Sequence, residues 1–244
     1  MNRKSFLVVM AAGHGTRMGA GMPKQFLSLS GVTILQRTIQ KFIDAVPDIQ
    51  VVTVLPPDGE YVDWWKNYCL VKNFSCPQAM VSGGITRFHS VKAALDRIPD
   101  GAVVAIHDGV RPMVTEDLIR SMFSRFSEDE TCRALIPVVP MVDTVKMLHK
   151  EKDTSGNTIL VRADATEPDR SVLYGAQTPQ MFRSEDIRAA YRQPFDLSFT
   201  DDASVASAYE IPLAFCEGER LNFKITTPED LVLAEAVLKI RGER

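Results

Sequence analysis

Four short apolar runs recur along the chain, "FLVVMA" (6–11), "IQVVTVL" (49–55), "AVVAIH" (102–107) and "RALIPVV" (133–139), with helical patterns between them. Each run is short enough for a strand buried on both faces and lacks the polar alternation of a strand with one wet face. Leu35, Ile39, Phe42, Ile43 and Val46 return at helical spacing, as do Val91, Ala94, Leu95 and Ile98, and then Leu118, Ile119, Met122, Phe123 and Phe126. In "TTPEDLVLAEAVLKI" a helix start is written out: Thr227 as N-cap, Pro228 at the first helical position and Asp230 three residues past the cap. Strands alternating with helices predict an α/β fold, a mostly parallel twisted sheet flanked by helices in the Rossmann-like manner. At 244 residues the chain reads as one domain, 1–244. In such sheets ligands bind beyond the carboxyl ends of the strands, where segments 10–26 and 107–112 fall.

Residues 141–177 break the alternation. Two β-patterned runs, "TVKML" and "NTILVR", flank a polar turn rich in Asp, Ser, Gly and Asn, which predicts a protruding β-hairpin arm. A lone hairpin is marginal in water, so the arm is expected to pack on its own domain or on a second subunit.

"MAAGHGTRMGAGMPKQF" (10–26) follows the first strand. Gly13, Gly15 and Gly19 let backbone N–H groups approach an anion, and Arg17 and Lys24 add charge, as a phosphate-binding loop requires. It is not a P-loop, because Lys24 lies between Pro23 and Gln25, and not a dinucleotide fingerprint, because Met18 stands where a third glycine belongs. A purely structural glycine turn has the same composition. In "AIHDGVRP" a buried run ends in Asp108, which places a carboxylate where Mg2+ between phosphate oxygens would sit; an Asx turn is the competing reading. Arg111 is a candidate ion-pair partner for Asp108, and His107 reads as a packed edge residue rather than a base. "SGGITRFHSV" sets Gly83 and Gly84 before a helix whose first turn carries Arg87 and Ser90, a place for a base or phosphate against backbone, or a plain strand-to-helix turn. Lys224, in the alternating run "NFKITTP", reads by itself as an exposed edge lysine.

A formal net charge of −3 with 24% charged residues excludes a general nucleic-acid binder, and any basic site must be local. Cys69, Cys76, Cys132 and Cys216 form no metal or redox spacing and read as reduced, mostly core thiols of a cytoplasmic protein. The apolar stretch from Phe6 to Ala12 is too short for a signal segment or a membrane span.

The stretches "AAGHGTRMGAGMPKQF", "GGITRFHSV", "HDGVRP", "DTVK", "QTPQMF", "TDDAS" and "NFKITTPEDL" stand in an order that resembles the 2-C-methyl-D-erythritol 4-phosphate cytidylyltransferase family over nearly the whole chain. The resemblance implies a sheet of the nucleotidyltransferase kind, a homodimer that exchanges the β-arm, and transfer of a cytidylyl group from CTP to methylerythritol phosphate with release of pyrophosphate. By motif position it implies that Arg17 and Lys24 stabilise the CTP phosphates and that Asp108 holds Mg2+ near the substrate hydroxyls. Ala11, Ala12, Gly13, Gly83 and Ser90 would line the cytidine pocket, and Gly15, Gly84 and Arg111 would join them and Asp108 in binding substrate. Thr144, Arg170 and Lys224 would grip the methylerythritol phosphate, the first two from the arm of the neighbouring subunit, with Arg162 as the fallback for Arg170. Ile85 stands where the family often has an acidic residue, and "HDGVRP" replaces H-D-A-A-R-P. A cytidylyltransferase for another polyol phosphate such as ribitol 5-phosphate, or a catalytically silent nucleotide-binding module, would share most of these features.

Overall fold

Alternate residues of the first strand point to opposite faces of a sheet, Phe6 and Val8 into one core and Leu7 and Val9 into another, and that two-sidedness organises the molecule. The computed structural model describes residues 3–13, 21–163 and 166–243. Strand β1 (Lys4–Met10) leads to a 3-10 turn (Lys24–Phe26) and a small ribbon of β2 (Ser28–Leu29) and β3 (Val32–Thr33). There follow α1 (Ile34–Ala45), β4 (Gln50–Leu55), α2 (Glu60–Val71), β5 (Gln78–Ser82), α3 (Arg87–Leu95), β6 (Ala102–Asp108), α4 (Glu116–Glu128) and β7 (Ala134–Pro140). After the arm strands β8 (Leu148–Lys152) and β9 (Thr158–Arg162) come β10 (Tyr174–Ala176), β11 (Gln180–Arg183), α5 (Ser184–Ala190), α6 (Asp202–Ala208), β12 (Leu213–Glu217) and α7 (Pro228–Ile240).

The main sheet runs β10-β7-β11-β6-β1-β4-β5, with β12 also on β7. β1 pairs in parallel with β4 and β6, Val8 facing Val52 on one side and Ile106 on the other. The expected parallel α/β sheet is therefore present. Two elements depart from the expected alternation: β10 pairs antiparallel with β7 at the end of the sheet, and β11 enters antiparallel between β6 and β7. Its four residues, "QMFR", are too few for a periodic signal, yet all four are buried.

Helices cover both faces because each offers an apolar stripe to one core. α3, α5 and α6 supply Val91, Leu95, Ile187 and Val205 to the first core; α1, α2 and α4 supply Ile39, Phe42, Trp65 and Met122 to the second. α7 closes a third cluster around Val110, Met113 and Ile225 through Ala234, Val237 and Leu238. The caps follow the residue types. Thr33 and Thr115 accept from the amides of Gln36 and Leu118, and Asp230 reaches back to the Thr227 amide at 2.9 Å, as its place three residues past the cap predicts.

The arm hairpin exists with its first strand displaced. Leu148–Lys152, not "TVKML", pairs with Thr158–Arg162. The turn decides the register: Asp153 Oδ1 accepts from the amides of Ser155 and Asn157, so pairing starts at Lys152 and Thr158. The hairpin forms a separate two-stranded sheet, with Leu148 and Leu160 exposed. "NFKITTP" is a second departure: it is not a strand, although the Ile225 amide donates to the Val110 carbonyl at 2.9 Å. The four cysteines are free, Cys132 buried and the others half-buried; burial pushes the thiols of Cys69, Cys76 and Cys216 up to about 11, so they stay protonated.

Candidate active site at the carboxyl edge of the sheet

The parallel strands β1, β4, β5 and β6 all end at one edge, and the strand order reverses between β1 and β6, the crevice where an open α/β sheet takes its ligands. A cavity of about 620 Å³ opens there, bordered by Ala11–Gly13, Lys24, Gly84–Arg87, Asp108 and Lys224.

One wall is backbone brought unusually close. A Cβ on Gly83 would stand 2.5 Å from the Ala12 Cβ, and one on Gly84 2.6 Å from the His89 Cβ, so neither position accepts a side chain without movement. Ser90 fastens this wall: its Oγ accepts from the Gly84 amide at 2.9 Å and donates to the Thr86 carbonyl at 3.0 Å. Gly84 and Ser90 border the cavity, while Gly83 backs the wall against the end of β4, its amide bonded to the Leu55 carbonyl.

Opposite lies the start of the glycine-rich loop. Gln25, buried in the 3-10 turn, donates through Nε2 to the carbonyls of Ala11 at 2.6 Å and Gly13 at 2.9 Å. Phe26 stacks on Tyr61 and packs at a tilt against Trp64 of α2, so buried Lys24 is anchored through its neighbours on one side. Gly15 and Arg17 lie outside the described residues.

The third part is a charge cluster. Asp108 Oδ2 receives Lys224 Nζ at 3.1 Å and Arg111 Nε at 3.2 Å. Burial by itself would raise the Asp108 pKa, but the nearby cations Lys224, Arg87 and Arg111 outweigh it and hold the carboxyl well below the usual range, so it is ionised. Lys224 is thus not a free edge lysine, and Arg111 pairs with Asp108 as its sequence position suggested. His107 is fully buried, and burial pushes its pKa down to about 4, which keeps it neutral as a packed residue. No group of three His, Cys, Asp or Glu side chains that would hold a metal unaided occurs among the described residues. Mg2+ needs fewer: one or two carboxylates, with phosphates and water completing the octahedron. Both cations make their closest approach to Oδ2 of Asp108, and a carboxylate at this edge of the cavity fits that donor set.

Two expected residues lie elsewhere. Thr144 is exposed at the start of the arm, and Arg170 donates to the Val142 carbonyl at 3.0 Å; neither borders this cavity. Arg162 lies 3.8 Å from Glu167 on the arm. Two further residues border it: Thr226, which the sequence left unremarked, and Arg87, which it placed beside Ser90 in the first turn of a helix. Arg87 clamps Asp202 with both Nη atoms, at 2.8 and 2.5 Å, and Tyr191 donates to the same carboxylate. Thr226 donates to Asp230 through its amide and hydroxyl, both at 2.7 Å. Asp202 lies in the quoted stretch "TDDAS", but nothing in the sequence marked it as the partner of Arg87.

The profile of the 2-C-methyl-D-erythritol 4-phosphate cytidylyltransferase family matches residues 5–240. A protein of that name from Porphyromonas gingivalis is 41% identical over 239 residues, spanning 98% of this chain and 99% of the relative. One from Bacteroides thetaiotaomicron is 38% identical over 235 residues, spanning 96% and 100%. The crystal structure of 4-diphosphocytidyl-2C-methyl-D-erythritol synthase from Anaerococcus prevotii is similar with a TM-score of 0.73 at 26% identity, covering 98% of this chain and all of that one.

Proposed function

The chain belongs to the 2-C-methyl-D-erythritol 4-phosphate cytidylyltransferase family, and from that premise we propose that it transfers the cytidylyl group of CTP to 2-C-methyl-D-erythritol 4-phosphate in isoprenoid biosynthesis. The observation that carries the reading is the ionised Asp108, gripped by Lys224 and Arg111 and facing a backbone wall at Gly84 across one cavity. That arrangement suits a nucleotide on one side and an anionic polyol on the other.

In the reaction a phosphate oxygen of methylerythritol phosphate attacks the α-phosphorus of CTP in line; the new P–O bond forms as the bond to the β-phosphate oxygen breaks and pyrophosphate leaves. The attacking phosphate is already deprotonated, so no general base is required, in keeping with a buried neutral His107. Two anions must meet, so cations carry the rate by offsetting their repulsion and the charge that develops on the leaving group. Arg17 and Lys24 serve the triphosphate, and Lys224 and Arg111 the incoming polyol phosphate. Ala11, Ala12, Gly13, Gly83, Gly84 and Ser90 seat the cytidine largely by backbone. Asp108 would hold Mg2+, and the ion would supply charge neutralisation for the phosphates.

Thr144 and Arg170 act in the site of a second copy. Their place on an arm with exposed Leu148 and Leu160, away from their own cavity, supports a homodimer built on that arm. No helix among the described residues is long and apolar enough to cross a membrane, and four free thiols suit the reducing cytoplasm, where we place the enzyme. CTP labelled in the α-phosphate tests the reaction class: the label is expected in the nucleotide-polyol product, with unlabelled pyrophosphate released. Transfer of the γ-phosphate with CDP left behind would refute it.

A further inference from the structure

Behind Asp108 a buried ring of hydrogen bonds joins three separate stretches of chain. The Asp108 amide donates to Thr178 Oγ1 at 3.1 Å; Thr178 Oγ1 stands 3.0 Å from His107 Nδ1, and His107 Nε2 stands 3.1 Å from the Arg111 carbonyl. Chemistry orders these contacts. A carbonyl only accepts, so Nε2 carries the imidazole proton. Nδ1 of the neutral ring is then an acceptor, and the Thr178 hydroxyl, which already accepts from Asp108, donates to it. On the far side Arg111 Nη1 donates to the Asn222 carbonyl at 2.8 Å, and Asn222 Nδ2 donates to the Thr178 carbonyl at 2.8 Å, which closes the ring two residues from Lys224.

His107 and Asn222 are fully buried, so neither reaches a substrate. We propose that they are the positioning residues of the Asp108–Arg111–Lys224 cluster, an inference that rests on the cytidylyltransferase reading for what the cluster does. Arg111 and Lys224 stand on irregular segments, not on a strand or helix. Their mutual ion pairs with Asp108 must give way in part when a phosphate and a metal compete for the same charges. Backbone fixed from behind does not depend on those pairs, and a buried polar network permits one arrangement where apolar packing permits several. Asn222 shows the cost being borne: its Oδ1 is the one buried side-chain oxygen without a hydrogen-bond partner among the described residues. A space-filling leucine would avoid that penalty, so the amide is retained for its Nδ2 bond to Thr178.

His107→Phe keeps a ring against Phe42, whose centroid lies 4.9 Å away, and removes both imidazole hydrogen bonds; Asn222→Leu removes the other closure. With wild type turning over methylerythritol phosphate, both variants are expected to lose about tenfold to a hundredfold in kcat and to raise the KM for that substrate, as small displacements of reacting groups do. The KM for CTP stays unchanged, because its wall stands on Ala11–Gly13 and Gly83–Ser90. Thr178→Ser, which keeps the hydroxyl, restores wild-type kcat where Thr178→Val does not. Folded His107→Phe and Asn222→Leu with wild-type kcat and KM would overturn the proposal. Nitrogen-15 spectra of histidine-labelled wild type test the ring without turnover or a variant: a proton on Nε2 of His107 is expected, and one on Nδ1 alone would overturn it. Absence of turnover in wild type would count against the proposed reaction alone.

Discussion

Acidification should destabilise this protein well before its carboxylates titrate, and His107 sets the size of the effect. In the unfolded chain the imidazole takes up a proton near pH 6.5; in the fold, burial holds it neutral down to about 4. Between those values the unfolded state binds one more proton than the native state, so stability rises with pH across the window and is lost as pH falls through it. The 2.5-unit gap caps the loss at roughly 3.4 kcal/mol, at about 1.4 kcal/mol per unit, and integration from pH 7.5 to pH 4.5 gives about 2.5 kcal/mol. Because His107 is fully buried, solvent screening does not reduce this. The charged neighbours Asp108 and Arg111 act on the ring in opposite senses, and Phe42 packs beside it without charge. The assay is urea unfolding, followed by circular dichroism, of wild type and His107→Phe at pH 7.5, 6.0, 5.0 and 4.5. Wild type is expected to lose about 2.5 kcal/mol more than the variant over that range. The depressed carboxylates Asp108 and Glu185 open their windows lower and cancel in the comparison. Parallel pH profiles for the two proteins would refute the reasoning.

Other perturbations have equally definite outcomes. Lys24→Ala should lower kcat roughly a hundredfold with folding intact, as loss of a transition-state charge donor does; steady-state kinetics check it, and normal turnover would remove Lys24 from the mechanism. Asp202→Asn strands the Arg87 guanidinium, whose side chain is 32% exposed, so about 2 kcal/mol is lost after discounting for solvent. That corresponds to a Tm lower by roughly 4–8 °C, and an unchanged melt would show the pair to be energetically idle. Gly83→Ala forces a methyl to 2.5 Å from the Ala12 Cβ; a loss of about 1–3 kcal/mol and a raised KM for CTP are expected in calorimetry and kinetics, and a neutral substitution would mean that the wall moves freely.

How far the fold was legible follows from element length and burial. β1, β4 and β6 are buried on both faces and read directly as apolar runs, and α1 and α4 carried clear stripes. β11 has four residues and β10 three, too few for any period to register, and α2 hides its face because Tyr61, Trp64, Trp65 and Tyr68 are aromatic and only partly buried apart from Trp65. The register of the arm was set by Asp153 in the turn rather than by the strand pattern. At the site, residue type and position beyond a strand pointed to Asp108, Gly84 and Ser90, and all three border the cavity. The partners of Arg87 and Lys224 were not legible, because Asp202 and Asp108 lie far off in sequence and meet them only through sheet order. Likewise, Gln25 could be quoted as part of a motif, but its grip on two backbone carbonyls depends on how the 3-10 turn folds back on β1.

Pyrophosphate release from CTP and Mg2+ in the presence of either methylerythritol phosphate or ribitol 5-phosphate tests the assigned activity and substrate together. Release with methylerythritol phosphate alone is the predicted result. Release only with ribitol 5-phosphate would contradict the assigned substrate, and tight CTP binding with no release from either would contradict the assigned activity.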